Sequence, residues 1–426
     1  MSDFKPYITA DGSTGLYNNE VQDIYHSASG ALSEAFDKFI EPIDFDLLIS
    51  KDNIKILDIC YGIGYNSKAF LNLILEKYYK NSFQKFCNYF SAKINNLEPI
   101  YTNNHSIKNK ENFLVNNYAI YTDNIFNKLT ITTVDNDKIL MAISPFIKTG
   151  INNPQKFNKG TITDKDYNKY YTKAVINKPR INNLINYFIL TNILQAFPNV
   201  YSAAGVSDLI NNNSYSYIFN KQIKGIFSYL TNQGQLTGQN RLYLSNLHNI
   251  YYRYLSKRYK KALKCSKLDK VIFNPIIADA RDFIKNDKNE YHLIFLDAFS
   301  PTKCPCLWTY DFFKCLYEHL DSDGMLLTYS TSASVRNAMM HAGFFVGNNI
   351  KNGKTIGTIC AKNKTMIKHP LSEYEKGLLN TKAGIFYRDR NLTALNEAII
   401  DEKNYEVKIS DKISTTQYIK SFKNVK

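Results

Sequence analysis

Residues 56–66 read Ile56-Leu57-Asp58-Ile59-Cys60-Tyr61-Gly62-Ile63-Gly64-Tyr65-Asn66. A short apolar run, an acid, two glycines spaced by one residue and a following apolar-periodic segment predict a buried strand, a tight turn and a helix. Glycine lets the backbone approach a ligand closely, and the free N–H groups at the start of a helix point into the same crevice. The stretch therefore predicts a nucleotide-type site at the edge of an α/β sheet, although the two glycines alone also fit a purely structural turn.

The glycine pattern bears on the kind of ligand. Where a third glycine would let the helix approach a pyrophosphate, the chain has Ser67-Lys68-Ala69. A ligand without a pyrophosphate fits better, and S-adenosylmethionine is the commonest such ligand. We expect Asp58 to close the strand, Gly62 and Gly64 to lie beside the amino-acid moiety, and a later acid to bind the ribose.

The composition is that of a globular protein with a basic surface. With 426 residues, of which 44% are hydrophobic, the chain is long enough to bury a large core. The formal net charge of +15 favours an anionic partner, nucleic acid before a membrane surface, although a general enrichment in lysine would give the same value. The seven scattered cysteines lack zinc-ligand spacing, and no apolar run reaches membrane-spanning length. We expect a cytoplasmic protein with reduced thiols, no metal and no membrane partner.

Composition and periodicity divide the chain into five segments. They predict an N-terminal lid or cap at 1–50, a first part of the sheet core at 51–144, a helical, Asn-, Lys- and Tyr-rich insertion at 145–250, a second part of the core at 251–365, and a C-terminal extension at 366–426. Inside the insertion, an amphipathic helix runs from Leu184 to Phe197 and is ended by Pro198, and a second helix is expected near Ile223.

Two acids follow predicted strands of the core. The β-branched run from Leu129 to Val134 predicts a second strand that ends at Asp135, where an acid can bind ribose hydroxyls. We take Asp135 as the ribose candidate; the alternative is that it caps the next helix, and Asp137 competes for both roles. Asp279 follows a predicted third strand, at the place where an adenine amino group would be bound.

A fully buried fourth strand is predicted to end at Asp297-Ala298-Phe299-Ser300-Pro301. Strands four and one are neighbours in a doubly wound sheet, so Asp297 should lie at the sulfonium end of the cofactor. There an acid and loop carbonyls can orient an amine for methyl transfer, and a structural strand end is the alternative. Phe299 and Trp308 are expected either to stack on a base or to belong to the core.

A basic stripe is predicted on one helix. Arg253, Lys257, Lys260 and Lys264 recur at helical spacing with interleaved tyrosines. Such a surface suits a phosphate backbone, because binding releases counterions. A solvated helix face is the alternative reading.

Together these motifs resemble the methyltransferase part of the MnmC family, the tRNA 5-methylaminomethyl-2-thiouridine-forming enzymes, in a form without the FAD-dependent oxidase part. The stretches that carry the resemblance are Thr9-Ala10-Asp11-Gly12-Ser13, Tyr25-His26, Gly30 to Ala35, Gly62 with Gly64 and Asn66, Asp279-Ala280, Leu296 to Trp308, Val335-Arg336, Ala342-Gly343-Phe344 and Tyr387-Arg388-Asp389. The resemblance implies a class I S-adenosylmethionine-dependent methyltransferase fold: Rossmann-like α/β, with a seven-stranded, mostly parallel sheet and a helical insertion.

The implied reaction is methylation of the 5-aminomethyl group of 5-aminomethyl-2-thiouridine at the tRNA wobble position, with a separate enzyme supplying that nucleoside. The implied catalytic residues are Asp297, Phe299, Ser300 and Pro301. The implied cofactor-binding residues are Asp58, Gly62, Gly64, Asn66, Asp135, Asp279, Ala280 and Tyr25. The implied substrate-binding residues are His26, Lys303, Trp308, Arg253, Lys257, Lys260 and Lys264.

The chain departs from the family pattern at three places, one of which is the insertion at 145–250, which is longer than expected for the family. Asp58 stands where the family has Glu, and the family's Lys-Asn-Pro-Glu-Met-Trp loop appears as Lys303-Cys304-Pro305-Cys306-Leu307-Trp308. Two other functions use a similar scaffold: an aminopropyltransferase of the spermidine-synthase type, and a non-catalytic RNA-binding protein with a methyltransferase-like fold.

Overall fold

Apolar, β-branched runs form the strands of the fold, which a computed structural model describes for residues 4–11, 13–18, 22–25, 30–79, 125–147, 179–202 and 247–424. In chain order the strands of this part of the chain are β1 (Phe4–Ile8), β2 (Thr14–Asn18), β3 (Asp23–Tyr25), β4 (Ile54–Ile59), β5 (Leu129–Asp135), β6 (Ile272–Ile277), β7 (Tyr291–Leu296), β8 (Leu320–Thr328), β9 (Phe345–Lys351) and β10 (Lys354–Ala361).

The later strands form a seven-stranded sheet in the order β6-β5-β4-β7-β8-β10-β9. Strands β6, β5, β4, β7 and β8 are parallel to one another, and β10 is antiparallel to both β8 and β9. The strand order reverses between β4 and β7, which is the topological switch point where α/β sheets bind ligands. The predicted seven-stranded, mostly parallel sheet is therefore confirmed.

Helices cover both faces of this sheet. In the described part of the chain they include α1 (Ala31–Ala35), α2 (Phe45–Ser50), α3 (Tyr65–Tyr79), α4 (Lys138–Ile143), α5 (Pro179–Ala196), α6 (Leu247–Cys265), α7 (Ala280–Asn286), α8 (Tyr310–Glu318), α9 (Ala333–Ala342), α10 (Glu373–Leu379), α11 (Asn396–Ile409) and α12 (Thr415–Asn424). Along β4, Ile56 packs into the core on one face of the sheet and Leu57 into the core on the other. Strands buried on both faces read as continuous apolar runs, which is why their positions are visible in the sequence.

The predicted insertion contributes to the main core. Because β5 and β6 are parallel, the chain must cross the sheet between them, and α5 and α6 belong to that crossover. Leu184 and Phe188 of α5 are buried, and the ring of Phe188 lies 5.7 Å from that of Phe273 on β6. Helix α5 is thus a layer of the sheet domain. The helix expected near Ile223 lies outside the described residues.

The N-terminal strands form a separate antiparallel sheet, in the order β1-β2-β3. Asp11 joins this sheet to α1: one carboxylate oxygen accepts hydrogen bonds from the Thr9 hydroxyl at 2.7 Å and the Ser13 amide at 2.9 Å. The other oxygen accepts from the Ser33 amide at 2.8 Å. The Thr9–Ser13 motif therefore has a structural role, since it fixes the small sheet to the first helix.

The C-terminal segment is bound to the sheet domain by ion pairs. Arg388 donates two hydrogen bonds of 3.0 Å to the Asp311 carboxylate, and Asp389 accepts one of 2.9 Å from Arg281. This docking brings α11 against the turn at Pro305–Trp308. Among the described residues, the structure contains no helix with the length and apolarity needed to cross a membrane.

Candidate active site

A cavity of about 790 Å³ opens at the carboxyl ends of β4, β5, β6 and β7. The small N-terminal sheet and the loop after β7 form its walls. The described residues that line it include Asn18, Asp23, Tyr25, Glu34, Lys38, Cys60, Gly62, Asp135, Asp137, Lys138, Asp279, Ala280, Asp297, Phe299, Ser300, Lys303, Cys304, Cys306, Tyr329 and Asn396. The cavity has the volume of a small-molecule site and lies at the switch point of the sheet.

The two predicted glycines have different roles. Gly62 lines the cavity with φ +54°, and the nearest described atom to a Cβ added there is Tyr25 Cδ1 at 3.8 Å. Gly64 does not line the cavity; a Cβ at this position, φ +81°, would lie 2.4 Å from the ring of Tyr61. Gly62 therefore leaves an open face toward the ligand space, whereas Gly64 is required by the packing of Tyr61.

Asp135 lies at the end of β5 and lines the cavity. Its carboxylate accepts hydrogen bonds from the Gly62 amide at 2.7 Å and the Asp137 amide at 2.8 Å. Burial raises the pKa of Asp135 to about 6, against the effect of these amides. Asp137 caps α4 by accepting from the Ile139 amide at 2.7 Å. Asp137 is therefore the helix cap, and Asp135 holds the glycine turn at the cavity wall; both acids line the cavity, and ribose binding by Asp135 stays a prediction.

Asp58 lies behind the cavity. Its side chain is completely buried, and one oxygen accepts hydrogen bonds from the Ser67 hydroxyl at 2.6 Å and the Ser67 amide at 3.2 Å. The other oxygen has no hydrogen-bond partner in the described part of the chain. Burial raises the pKa of Asp58 to about 7. In this structure Asp58 joins β4 to the first turn of α3.

Asp297 is placed at the switch point by β7. Its amide donates to the Ile59 carbonyl at 3.3 Å, and its carboxylate accepts from Asn66 Nδ2 at 3.0 Å. Asn66 is 3% exposed and lies in the first turn of α3, outside the cavity lining. The predicted pair of motifs, glycine turn and acidic loop, therefore meets through an Asn66–Asp297 hydrogen bond.

The loop after Asp297 is held in place by hydrogen bonds that two of its backbone carbonyl groups accept. Tyr329 donates its hydroxyl to the Ala298 carbonyl at 2.9 Å, and Trp308 donates Nε1–H to the Phe299 carbonyl at 2.8 Å. Trp308 is fully buried and does not line the cavity. Of the two predictions for Trp308, the structure favours a position in the core. From this position Trp308 holds the acidic loop by its hydrogen bond to Phe299.

An aromatic contact closes one side of the cavity. The rings of Tyr25 and Phe299 both line it, with their centroids 4.5 Å apart. The Ser300 hydroxyl lies 3.4 Å from the carboxylate of Asp23 on the small sheet, and Pro301 does not line the cavity. His26 lies outside the described residues, so its predicted role stays a prediction.

Asp279 caps α7 and is engaged by a neighbouring arginine. Its two carboxylate oxygens accept hydrogen bonds of 2.8 Å from the backbone amide and from Nη2 of Arg281. Burial alone would raise the pKa of Asp279, but the bonds from Arg281 lower it below its usual value. Asp279 and Ala280 both line the cavity, so the hydrogen bonds between Asp279 and Arg281 fix this part of the cavity wall.

The basic stripe is a surface feature apart from the cavity. Arg253, Lys257, Lys260 and Lys264 are all exposed on α6 and do not line the cavity, whereas Leu255 on the same helix is buried. The predicted separation of a basic face from an apolar face is therefore present. Lys303, by contrast, lines the cavity.

Several lining residues were missed by sequence reasoning. Among the described residues, six carboxylates and three lysines line the cavity; the carboxylates are Asp23, Glu34, Asp135, Asp137, Asp279 and Asp297. Glu34 and Cys60 belong to motifs that had been noticed, so their positions in those motifs were a usable signal. For Tyr329 and Asn396 the sequence contains no such signal, because only the packing of β8 and α11 brings these two residues to the cavity.

Comparisons with known proteins agree with this geometry. Residues 243–364 match the model of a family described as S-adenosyl-L-methionine-dependent methyltransferase. A stretch of 154 residues is 30% identical to the uncharacterized protein MJ0670 of Methanocaldococcus jannaschii, covering 34% of this chain and 43% of that protein. A stretch of 75 residues is 33% identical to the tRNA 5-methylaminomethyl-2-thiouridine biosynthesis bifunctional protein MnmC of Burkholderia mallei, covering 18% of this chain and 11% of that protein.

A crystal structure of MNMC2 from Aquifex aeolicus aligns over 96% of this chain and 86% of that one, with 18% identity and a TM-score of 0.49. The chain spans less than half the length of the curated relatives named above. S-adenosylmethionine is the cofactor of the matched family. The cavity fits it: Gly62 leaves space beside the turn, Asp135 offers carboxylate oxygens, and the carboxylate excess suits a sulfonium cation.

Proposed function

Because this chain carries an S-adenosylmethionine-dependent methyltransferase domain similar to MnmC proteins, we propose that it methylates the primary amine of 5-aminomethyl-2-thiouridine at the tRNA wobble position. The observation that carries the proposal is the Asp297 carboxylate, which lies at the switch point in the cavity wall and is held by Asn66 at 3.0 Å. The class of substrate is proposed from the similarity to the Burkholderia relative, a tRNA 5-methylaminomethyl-2-thiouridine biosynthesis protein.

The proposed chemistry places few demands on the protein. S-adenosylmethionine, when bound, supplies an activated methyl group on a sulfonium. The substrate amine is mostly protonated at neutral pH, and it must lose one proton before its lone pair can form the new N–C bond. The Asp297 carboxylate accepts a hydrogen bond from the bound ammonium, which orients the nitrogen, and as general base it takes one ammonium proton, so that the lone pair of the neutral amine is free to form the N–C bond. Because the Ala298 and Phe299 carbonyls already accept bonds from Tyr329 and Trp308, orientation falls mainly to the carboxylate.

The charge distribution supports separate binding sites for the substrate amine and for the tRNA phosphates. The cavity carries more carboxylates than lysines in its described lining, although the chain as a whole has a net charge of +15. A cavity of this kind favours a cationic amine and disfavours phosphate groups. We assign contact with tRNA phosphates to the exposed stripe Arg253, Lys257, Lys260 and Lys264, where Lys and Arg can neutralise the backbone.

The remaining roles follow from position. Gly62, Asp135, Asp279, Ala280 and Tyr25 are proposed to hold the cofactor directly. Asp58, Gly64 and Asn66 are proposed to support this site from behind. Phe299, Ser300 and Lys303 are proposed to meet the nucleoside, with Pro301 and Trp308 shaping their loop.

The acidic cavity would also accommodate a polyamine, which is the substrate class of an aminopropyltransferase. The two reactions differ in product, since one adds a methyl group and the other an aminopropyl group from a decarboxylated cofactor. Competition between the two cofactors and the mass of the product therefore separate them.

The test is incubation of the protein with S-adenosylmethionine and tRNA that carries 5-aminomethyl-2-thiouridine, followed by digestion and nucleoside mass spectrometry. We expect one added methyl group on that nucleoside. Asp297→Ala should slow transfer by about 100-fold or more, the usual effect of losing a general acid–base group, while calorimetry shows nearly unchanged cofactor binding.

Asp282→Ala is the matched control, because Asp282 is a largely exposed acid on α7 outside the cavity lining. Unchanged transfer by Asp297→Ala would refute the role of Asp297. No methyl gain by the wild-type protein, despite cofactor binding, would refute this substrate and lead next to polyamine acceptors.

A further inference from the structure

Two cysteines stand side by side in the cavity wall. Cys304 and Cys306 flank Pro305, their sulfur atoms are 3.6 Å apart, and both side chains line the cavity. They occupy the positions at which the family loop quoted above has Asn and Glu. A pair of thiols in this position is unnecessary for methyl transfer, which uses neither.

The geometry is close to that of a disulfide. A disulfide needs sulfur atoms about 2.05 Å apart and Cα atoms about 4.4–6.8 Å apart. Only Pro305 separates the two residues, and Cys304 directly precedes the 3₁₀ turn Pro305–Trp308, so their backbones stay near each other in any side-chain rotamer. The sulfur atoms must therefore approach by about 1.5 Å, the difference between the observed contact and a bond.

One of the two thiols is the better nucleophile. The Cys304 and Cys306 sulfur atoms lie within hydrogen-bond distance of each other, and the Arg281 guanidinium is a nearby positive charge; against the effect of burial, both interactions lower the pKa of the Cys306 thiol. The thiolate is the form that attacks a disulfide. Cys306 is only 9% exposed but lines the cavity, so the ligand space is the route by which a small reagent would approach it.

We propose that Cys304 and Cys306 form a reversible dithiol–disulfide site that reacts with low-molecular-weight disulfides such as oxidised glutathione. The Cys306 thiolate attacks the reagent's S–S bond, a mixed disulfide forms on Cys306, and one reagent thiolate leaves. Cys304 then gives up its proton and attacks the Cys306 sulfur, and the second reagent thiolate leaves. The chain loses two hydrogens and is oxidised, and one molecule of the reagent is reduced to two thiols.

Oxidation of the two cysteines should disturb the acidic loop, because the turn that contains Cys306 also carries a residue that holds this loop. The Cys306 amide donates to Asn396 Oδ1 at 3.3 Å, and Trp308, two residues further on, holds the Phe299 carbonyl at 2.8 Å. Pulling Cys306 toward Cys304 therefore strains the turn that carries Trp308. This consequence for activity rests on the proposed function, whereas the disulfide itself does not.

In the experiment, the full chain is equilibrated in buffers with different ratios of reduced to oxidised glutathione. Free thiols and the intact mass of the protein are then measured. We expect loss of two thiols and two hydrogens per chain, without retained glutathione, and peptide mapping should identify a Cys304–Cys306 link. Saturation with S-adenosylhomocysteine should slow the reaction at least several-fold, because the thiols border the same cavity.

Single substitutions show which cysteines form the disulfide. Cys304→Ser should stop at the mixed disulfide, retaining one glutathione, and Cys315→Ser, which removes a thiol outside the cavity lining, should react like the wild type. Cys60→Ser tests the third lining cysteine and should leave the link unchanged. Thiols that stay reduced at every ratio, or a mapped link to Cys60, would overturn the proposal. Since thiols and mass are read without methyl transfer, this outcome is independent of the proposed reaction.

Discussion

At the scale of single residues, the site depends on one hydrogen bond between two sequence motifs. Asn66 Nδ2 donates to the Asp297 carboxylate at 3.0 Å, while Asn66 Oδ1 is buried without a hydrogen-bond partner among the described residues. A buried amide that donates to a carboxylate fixes the orientation of that carboxylate. Asn66 is therefore best understood as a positioning residue for Asp297.

Asn66→Ala should lower the rate of transfer by roughly 10- to 100-fold, because a hydrogen bond to a charged group contributes about 1.5–3 kcal/mol. Cofactor affinity should change much less. Asn66→Asp places a second carboxylate beside Asp297, so the acid limb of the pH–rate profile should move to higher pH. Single-turnover rates and calorimetry measure the two effects.

Asn72→Ala is the matched control for this prediction. Asn72 is a buried asparagine on the same helix, and it donates to Asn182 and to the Lys68 carbonyl instead. A variant at Asn66 that weakened cofactor binding and left the rate of the chemical step intact would show that the residue acts on the cofactor.

At the scale of elements, α6 presents a basic face while its apolar face packs on α5. A solvated helix face and a tRNA-binding face have the same appearance in the sequence, and the exposure of the stripe fits both. Salt dependence distinguishes them, because only phosphate contacts release counterions.

Lys257→Glu with Lys260→Glu should weaken tRNA binding and reduce the slope of log affinity against log salt by roughly one for each lost phosphate contact. Lys408→Glu with Lys412→Glu makes the same change of charge near the end of α11, where both lysines are also exposed, and should have a smaller effect. Filter binding over a range of salt concentrations gives both slopes. Equal slopes for the two double variants would favour the solvated-face reading.

At the scale of the whole molecule, a buried acid makes stability depend on pH. Burial raises the pKa of Asp58 to about 7 from its ordinary value of 3.8. As the pH rises from about 4 to 7, the unfolded chain releases this proton before the folded chain does. Folded-state stability from this group is therefore lost across that window, and it changes little above it.

Asp58→Asn cannot ionise, so its free energy of unfolding should lack this decline. We expect the wild-type value to fall relative to the variant by an amount on the order of a few kcal/mol between pH 4 and 7, since one pKa unit corresponds to about 1.4 kcal/mol. Urea denaturation at several pH values measures the difference. Parallel curves for the two proteins would contradict a raised pKa at Asp58.

The strands and the glycine turn could be predicted from the sequence, because each depends on local patterning. The run before Asp135 is β-branched and the run before Asp297 is largely apolar, as is typical of buried parallel strands, and sheet topology then places both acids at one edge. Fold class and the location of the cavity follow from the sequence alone.

What each side chain does was decided by tertiary packing. Asn396 reaches Cys306 across 90 positions of sequence, and Asn66 reaches Asp297 across 231, distances over which no local pattern extends. The division between Gly62, which faces the cavity, and Gly64, which accommodates Tyr61, likewise depends on neighbouring rings. The sequence determined where the strand ends meet, because periodicity is local; the structure decided which groups touch, because hydrogen bonds and packing join distant parts of the chain.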